Sequence, residues 1–227
     1  MSLHTVRDTA LEESMVRGYP RAYLDGFVRF GDLDLTVDER VYVPTPETLG
    51  LVQAAHRYLI GKEAGDSAVL DVGTGSGAIA IHLKKSLPRL RVVASDVSKD
   101  ALAVARTNAL ALHVEVDFRQ SDLLSALDIA PPDLVVANLP WGSEHYLLKS
   151  HTMEELRFMP EIAIFPNHGL MGSYVDLVRA VAEKGWRCRV LIETGVLPPT
   201  VVEAEMPKGV PFEYVPMPDY SVTVGEV

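Results

Sequence analysis

Two short stretches of this chain hold residue types that can do chemistry. "LDVGTGSGAIA" leads an apolar run into Asp71, then sets glycines at 73, 75 and 77 ahead of a helix-like segment. Alternating glycines let a ligand touch bare backbone and let the helix pack close to the strand before it. The helix N-terminus adds free N–H groups that suit an anionic group such as a carboxylate. "VVANLPW" ends another apolar run in Asn138, Leu139, Pro140 and Trp141. An amide, a proline and a large ring can simply stop a strand. They can also present an acceptor and a stacking surface to a ligand. Asp96 closes "LRVVASD" and Asp122 sits in "SDLL". Each can serve a ligand, or the turn or helix cap that follows it.

These residues need elements to position them. "GFVRFGDLDLTVDERVYV" alternates about a Gly-Asp pair and reads as a β-hairpin with a third short extended piece. Pro44 and Pro46 forbid regular structure in "VPTPET". A helix is expected from Glu47 to Ile60, with Leu49, Val52, Ala55, His56 and Leu59 near one face. Strands and helices then alternate. "SAVLDVG", "LRVVASD", "HVEVDFR", "DLVVAN" and "WRCRVLIETG" read as strands, and "GAIAIHLKKSL", "SKDALAVARTNALAL" and "GSYVDLVRAVAEKG" as helices. Ser98 is the expected N-cap of the second of those helices, and Gly185 closes the third. Two strand-like runs in "PFEYVPMPDYSVTVGEV" are too close together to be parallel, so they must pair antiparallel. The expectation is an α/β fold with a doubly wound, seven-stranded mixed sheet, a closing antiparallel hairpin and an N-terminal β-hairpin arm. Residues 1–43 would form the arm and hairpin, and 44–227 the main domain. Ligands bind beyond the carboxyl ends of the strands in such sheets. Asp71–Gly77, Asp96, Asp122 and Asn138 should therefore converge on one crevice.

Composition narrows the function classes. The chain has 227 residues, 48% hydrophobic and 23% charged, as an ordinary globular domain has. No run has the length of a membrane span, and the N-terminus lacks a signal-peptide stretch, so a cytoplasmic location is expected. Cys188 is the single cysteine, which excludes an internal disulfide and a cysteine-rich metal site. The seven histidines lack metal-ligand spacing, and no metal is expected. A formal net charge of −10 and the lack of a Lys/Arg block argue against a structured nucleic acid as partner. Oligomeric state is not legible.

The motifs also carry a family resemblance. Gly73, Gly75 and Ala78 fit the dinucleotide fingerprint G-x-G-x-x-A. The same stretch resembles the acidic residue plus G-x-G-x-G of class I methyltransferases that use S-adenosylmethionine. "NLPW" resembles the N/D-P-P-Y/F/W motif of methyltransferases acting on planar nitrogens. "VYVPTPETLGLV", "MPEIAIFPNHGLMGSYVDLVRAV" and "VLIETG" are similar, in order, to segments of the HemK/PrmC-type protein-glutamine N5-methyltransferases. The similarity runs from about Arg21 to the C-terminus. Leu139 stands in place of the family's first proline, Thr45 in place of the arginine of P-R-P-E-T, and Leu49 in place of the glutamate after it. With about twenty residues ahead of the hairpin, a shortened N-terminal region is expected.

The resemblance implies a Rossmann-like fold and S-adenosylmethionine as cofactor, with S-adenosylhomocysteine as product. It assigns the cofactor to Asp71, Gly73, Thr74, Gly75, Ser76, Gly77, Asp96, Val97, Asp122, Leu123 and Asn138. It assigns methyl transfer to Asn138, Leu139, Pro140 and Trp141. Asn138 Oδ1 and the Leu139 carbonyl would accept the two N–H bonds of the acceptor nitrogen, Trp141 would stack on its plane, and Pro140 would fix the loop. The acceptor is a glutamine amide of a protein, or a small-molecule amide or amine. The residues also leave two alternatives open: an NAD-dependent Rossmann oxidoreductase, and a non-catalytic cofactor-binding partner protein. Glu47, His145 and His151 are further residues that could reach the acceptor, and "SEHYLLKSHTMEELRFM" is expected to form a lid that is partly helical at its end.

Overall fold

The computed structural model describes residues 18–60, 67–146, 151–216 and 221–226. A short helix α1 (Arg21–Asp25) leads into the hairpin β1 (Phe27–Phe30) and β2 (Leu33–Thr36). Helix α2 (Thr48–Ile60) precedes the alternating part: β3 (Ala68–Val72), α3 (Ala78–Ser86), β4 (Arg91–Asp96), α4 (Lys99–Ala111), β5 (Asp117–Gln120) and β6 (Leu134–Ala137). After α5 (Met153–Leu156) come α6 (Gly172–Glu183), β7 (Arg189–Gly195), α7 (Pro199–Glu205), β8 (Phe212–Pro216) and β9 (Ser221–Glu226).

The main sheet has the order β5-β4-β3-β6-β7-β9-β8. The first five strands are parallel, as the strand–helix alternation implies, and β9 pairs antiparallel with both β7 and β8. The chain moves outward from β3 through β4 to β5, then returns to the other side of β3 with β6. That reversal opens a crevice above the carboxyl ends of β3 and β6. Val72 stands opposite both Ser95 and Ala137, so Gly73, Asp96 and Asn138 emerge beside one another.

Period-two alternation builds the core on both faces of the sheet. Val69, Leu134 and Val136 join α2, α3 and the hairpin residues Phe30, Leu33 and Leu35. Leu70, Val72, Val135 and Ala137 join Tyr174, Leu177 and Val181 of α6. Asn108 of α4 ties the hairpin to the glycine-rich turn. Its Oδ1 accepts from Thr36 N at 2.7 Å, and its Nδ2 donates to Thr36 O and Ser76 O at 2.9 Å each.

Three local differences from the sequence expectation have physical causes. The third extended piece after the hairpin is a turn, closed by Arg40 N–H and Val41 N–H on Asp38. The strand expected from His113 starts at Asp117, because α4 winds into a left-handed residue at His113 (φ 54°). Helix α7 lies outside the sequence expectation; Pro199 at its first position is a start signal. The expected lid is helical near its end, as read from the sequence, in α5 with a Thr152–Glu155 capping box; its residues 147–150 lie outside the described residues.

Candidate active site

The glycine-rich turn is held from below by Asp71. Its carboxyl is fully buried, and Oδ2 accepts from Thr74 Oγ1 at 2.7 Å and Ala80 N at 3.2 Å. Burial pushes its pKa up to about 7. Most donors of the turn are spent inside the protein. Gly73 and Thr74 N–H donate to Ser95 O, Gly75 N–H to Asp96 Oδ2, and Gly77 N–H to Thr74 O. The expected supply of free N–H groups is therefore smaller than the sequence suggests. What faces the crevice is bare backbone: the space where a Cβ would sit on Gly75 is open.

A cavity of about 290 Å³ occupies the crevice. Its wall includes Gly73, Gly75, Asp96, Val97, Asp122 and Leu123 on one side and Asn138 through Trp141 on the other. Those predicted residues are brought together. Asp71, Thr74, Ser76 and Gly77 are not part of that wall. Asp71, Thr74 and Ser76 are buried within the turn, and a Cβ on Gly77 would meet Ile81 and Ala105, so that glycine serves helix packing. Asp96 is aimed by two backbone donors, Gly75 N–H on Oδ2 and Ser98 N–H on Oδ1, each at 2.9 Å. Burial raises its pKa, and the N–H bonds of Ser98 and Gly75 pull it back toward the carboxylate. Each oxygen keeps a lone pair for a hydroxyl donor.

The Asn-Leu-Pro-Trp loop is anchored at every residue but the proline. Asn138 Nδ2 donates to Thr48 Oγ1 at 2.9 Å and to Glu193 Oε2 at 3.0 Å. Leu139 N–H donates to Tyr174 Oη at 3.0 Å. The Tyr174 hydroxyl lies 2.6 Å from Glu193 O and 3.0 Å from Leu139 O, so its single proton favours Glu193 O. The Leu139 carbonyl therefore keeps accepting capacity. Leu139 Cδ2 occupies the place where Gly73 would carry a Cβ, 2.5 Å from that position. The two sequence motifs are thus in direct contact. Trp141 lies over Gly195, where an added Cβ would overlap ring atoms Cζ2 and Cη2.

Glu193 of β7 also lines the cavity. It is fully buried, and Oε1 has no hydrogen-bond partner among the described residues. Burial, with Glu47 adding repulsion, pushes its pKa up to about 8. Glu47, His145 and His151 are not part of the cavity wall. His145 is exposed, and His151 Nε2 lies 3.2 Å from Val43 O.

Comparison with known proteins fits this geometry. The family described as "Methyltransferase small domain" matches residues 57–156. The release factor glutamine methyltransferase of Koribacter versatilis is 38% identical over 170 residues, 74% of this chain and 58% of the relative. That of Lactococcus lactis is 37% identical over 165 residues, 71% and 58%. The chain resembles the HemK/PrmC-type class I methyltransferases, whose cofactor is S-adenosylmethionine. It spans 58% of the length of these two curated relatives. Among solved structures, TrmN from Thermus thermophilus is similar at 25% identity and a TM-score of 0.53, covering 77% of this chain and 47% of that one.

Four residues that shape this site were not singled out from sequence: Thr48, Tyr174, Glu193 and Asn108. The "VLIETG" similarity was a signal for Glu193, since a charged residue inside an apolar strand needs a reason. Tyr174 and Asn108 lie mid-helix and gave no such signal.

Proposed function

We propose that this chain transfers the methyl group of S-adenosylmethionine to a planar nitrogen, the side-chain amide of a glutamine in a protein. The observation that carries the reading is the orientation of Asn138. Both protons of its amide nitrogen are spent on Thr48 and Glu193, which leaves Oδ1 as the group offered to the crevice. An oxygen there recognises an N–H donor. The glutamine assignment rests on the relatives, which are named release factor glutamine methyltransferases.

The residues present suit the cofactor. Gly75 offers bare backbone, Asp96 offers an aimed carboxylate for ribose hydroxyls, and Val97 and Leu123 offer apolar walls for a base. Asp122 stands in the same wall as acceptor for an amino group. S-adenosylmethionine, when bound, supplies a methyl group on a positively charged sulfur. The chain's own part is to bind, aim and desolvate. An amide nitrogen is a poor nucleophile because its lone pair is delocalised. Asn138 Oδ1 and the Leu139 carbonyl hold its two N–H bonds and stabilise positive charge as it develops. Trp141, seated on Gly195, flanks the planar group.

The rest of the reading follows from the same frame. The fold is the seven-stranded mixed sheet of class I methyltransferases, with the hairpin before a catalytic domain at 44–227; residues 1–17 of the expected arm lie outside the described residues. The protein acts in the cytoplasm; no helix among the described residues is long and apolar enough to cross a membrane. A structured nucleic acid is not the partner, given the net charge of −10. The relatives reported above lend no support to an oxidoreductase or a non-catalytic partner. Incubation of the chain with methyl-labelled S-adenosylmethionine and a glutamine-containing release-factor loop peptide tests the assignment. The expected result is a gain of one methyl on the glutamine nitrogen. Turnover of NAD with no methyl incorporation would overturn it.

A further inference from the structure

Granting the methyl-transfer reading above, we propose that Glu193 is a positioning residue that locks the Asn138 amide with its oxygen toward the acceptor. A side-chain amide can sit in two orientations that differ by a half-turn, with nearly equal shape and opposite hydrogen-bonding character. Only one of them offers an acceptor to an N–H substrate. The surroundings of Asn138 choose between them. Its Nδ2 lies 2.9 Å from Thr48 Oγ1 and 3.0 Å from Glu193 Oε2. With the Glu193 carboxyl ionised, as it is above its raised pKa of about 8, a half-turn would set Asn138 Oδ1 against Glu193 Oε2, acceptor against acceptor; below that pH the carboxyl can itself donate and the choice weakens.

Thr48 alone cannot make this choice, because a hydroxyl both donates and accepts. It also has another partner in reach, Thr45 Oγ1 at 3.4 Å. Glu193 supplies the asymmetry, and the fold fixes it there. Its backbone carbonyl accepts from Tyr174 Oη at 2.6 Å, and its side chain is fully buried at the crevice wall. The titratable groups acting on it are Glu47, which precedes α2, Tyr42 from the loop after the hairpin, and Tyr174 from α6. None of these brings a positive charge to Glu193.

The test, run at about pH 9 where the Glu193 carboxyl is ionised, exchanges donor and acceptor across the pair. In Glu193→Gln both orientations of Asn138 become possible, because glutamine offers an oxygen and an NH₂. The competent fraction, and with it kcat, should fall by about twofold or more while KM for the cofactor stays unchanged. In Asn138→Asp an acceptor meets an acceptor, and kcat should fall further. In the double variant the amide introduced at position 193 donates to the carboxylate introduced at position 138, restoring the bond with reversed polarity. Its kcat should exceed that of Asn138→Asp alone by several-fold. A substitution that lowers activity in one background thus raises it in the other, which a merely structural role would not produce. A readout independent of activity accompanies this: hydrogen exchange of the Asn138 side-chain NH₂ by NMR, with S-adenosylhomocysteine bound. Exchange should quicken at least tenfold in Glu193→Ala. Unchanged exchange there, or a double variant no better than Asn138→Asp, overturns the lock. If the wild-type chain methylates no glutamine peptide, the function reading fails, and the exchange rates still decide the role of Glu193.

Discussion

Gly195 and Trp141 form a contact whose energy can be worked from the structure. Gly195 ends β7 with φ +53°, and Trp141 covers it so closely that a Cβ would overlap two ring atoms. Gly195→Ala therefore carries two costs. A left-handed backbone costs an L-residue about 1–2 kcal/mol. Overpacking adds about 1–3 kcal/mol if the ring is held, and less if it swings aside. The sum is a loss of roughly 2–5 kcal/mol. Urea unfolding followed by circular dichroism measures it, since Trp141→Ala would disturb a fluorescence readout. In the Trp141→Ala background the ring is gone, so the second cost should vanish and the first should remain. The double-mutant cycle should then show a coupling of about 1–3 kcal/mol. Additivity within about 0.5 kcal/mol would refute the claim that Gly195 is glycine to seat the Trp141 ring.

Other outcomes follow from the same site. Asp96→Ala should weaken S-adenosylhomocysteine binding by about 1.5–3 kcal/mol, the loss of hydrogen bonds to a charged acceptor, and calorimetry showing unchanged affinity would contradict its role. Asp71 and Glu193 have pKa values raised to about 7 and about 8 by burial, so the folded chain keeps protons that the unfolded chain has lost. Their contribution is full below the unfolded carboxylate range and is lost as pH rises through 7 and 8, with a slope of up to about 1.4 kcal/mol per pH unit per group. Asp71→Asn and Glu193→Gln should each flatten that fall in a pH series of unfolding curves, and a stability that climbs over this window would contradict the burial account. RNA or DNA should bind weakly; tight binding that drops steeply with added salt would overturn the exclusion of nucleic acid.

Much of this site was legible because its signals are local. Glycines at 73 and 75, an acid closing β4 and the Asn-Leu-Pro-Trp run each show in a few residues. The alternation of strands and helices says that their loops meet above one edge of the sheet. What stayed hidden is the way neighbours use these groups. Asp71 reads as a ligand-facing acid, yet Thr74 Oγ1 and Ala80 N take its oxygen, and it holds the turn instead. Asn138 reads as an acceptor, but its orientation depends on Thr48 and Glu193, 90 and 55 residues away. Leu139 reads as a departure from a proline, and its reason lies across the crevice, where its side chain fills the gap left by Gly73. The start of β5 differs from the expectation because nothing in "LHVEV" marks the left-handed turn at His113.

The central claim is that Asn138 holds the acceptor nitrogen for methyl transfer. It is tested most directly by comparing turnover of wild type, Asn138→Asp and Asn138→Ala on a glutamine-containing peptide, with S-adenosylhomocysteine affinity measured alongside. Turnover should fall about a hundredfold or more in the alanine variant, the scale of losing one preorganised polar contact in a transition state. The aspartate variant should lie between the two, because it keeps an acceptor oxygen at nearly the same place, and cofactor affinity should be little changed in all three. Equal turnover across the three proteins would contradict the account and leave Asn138 as the end of a strand.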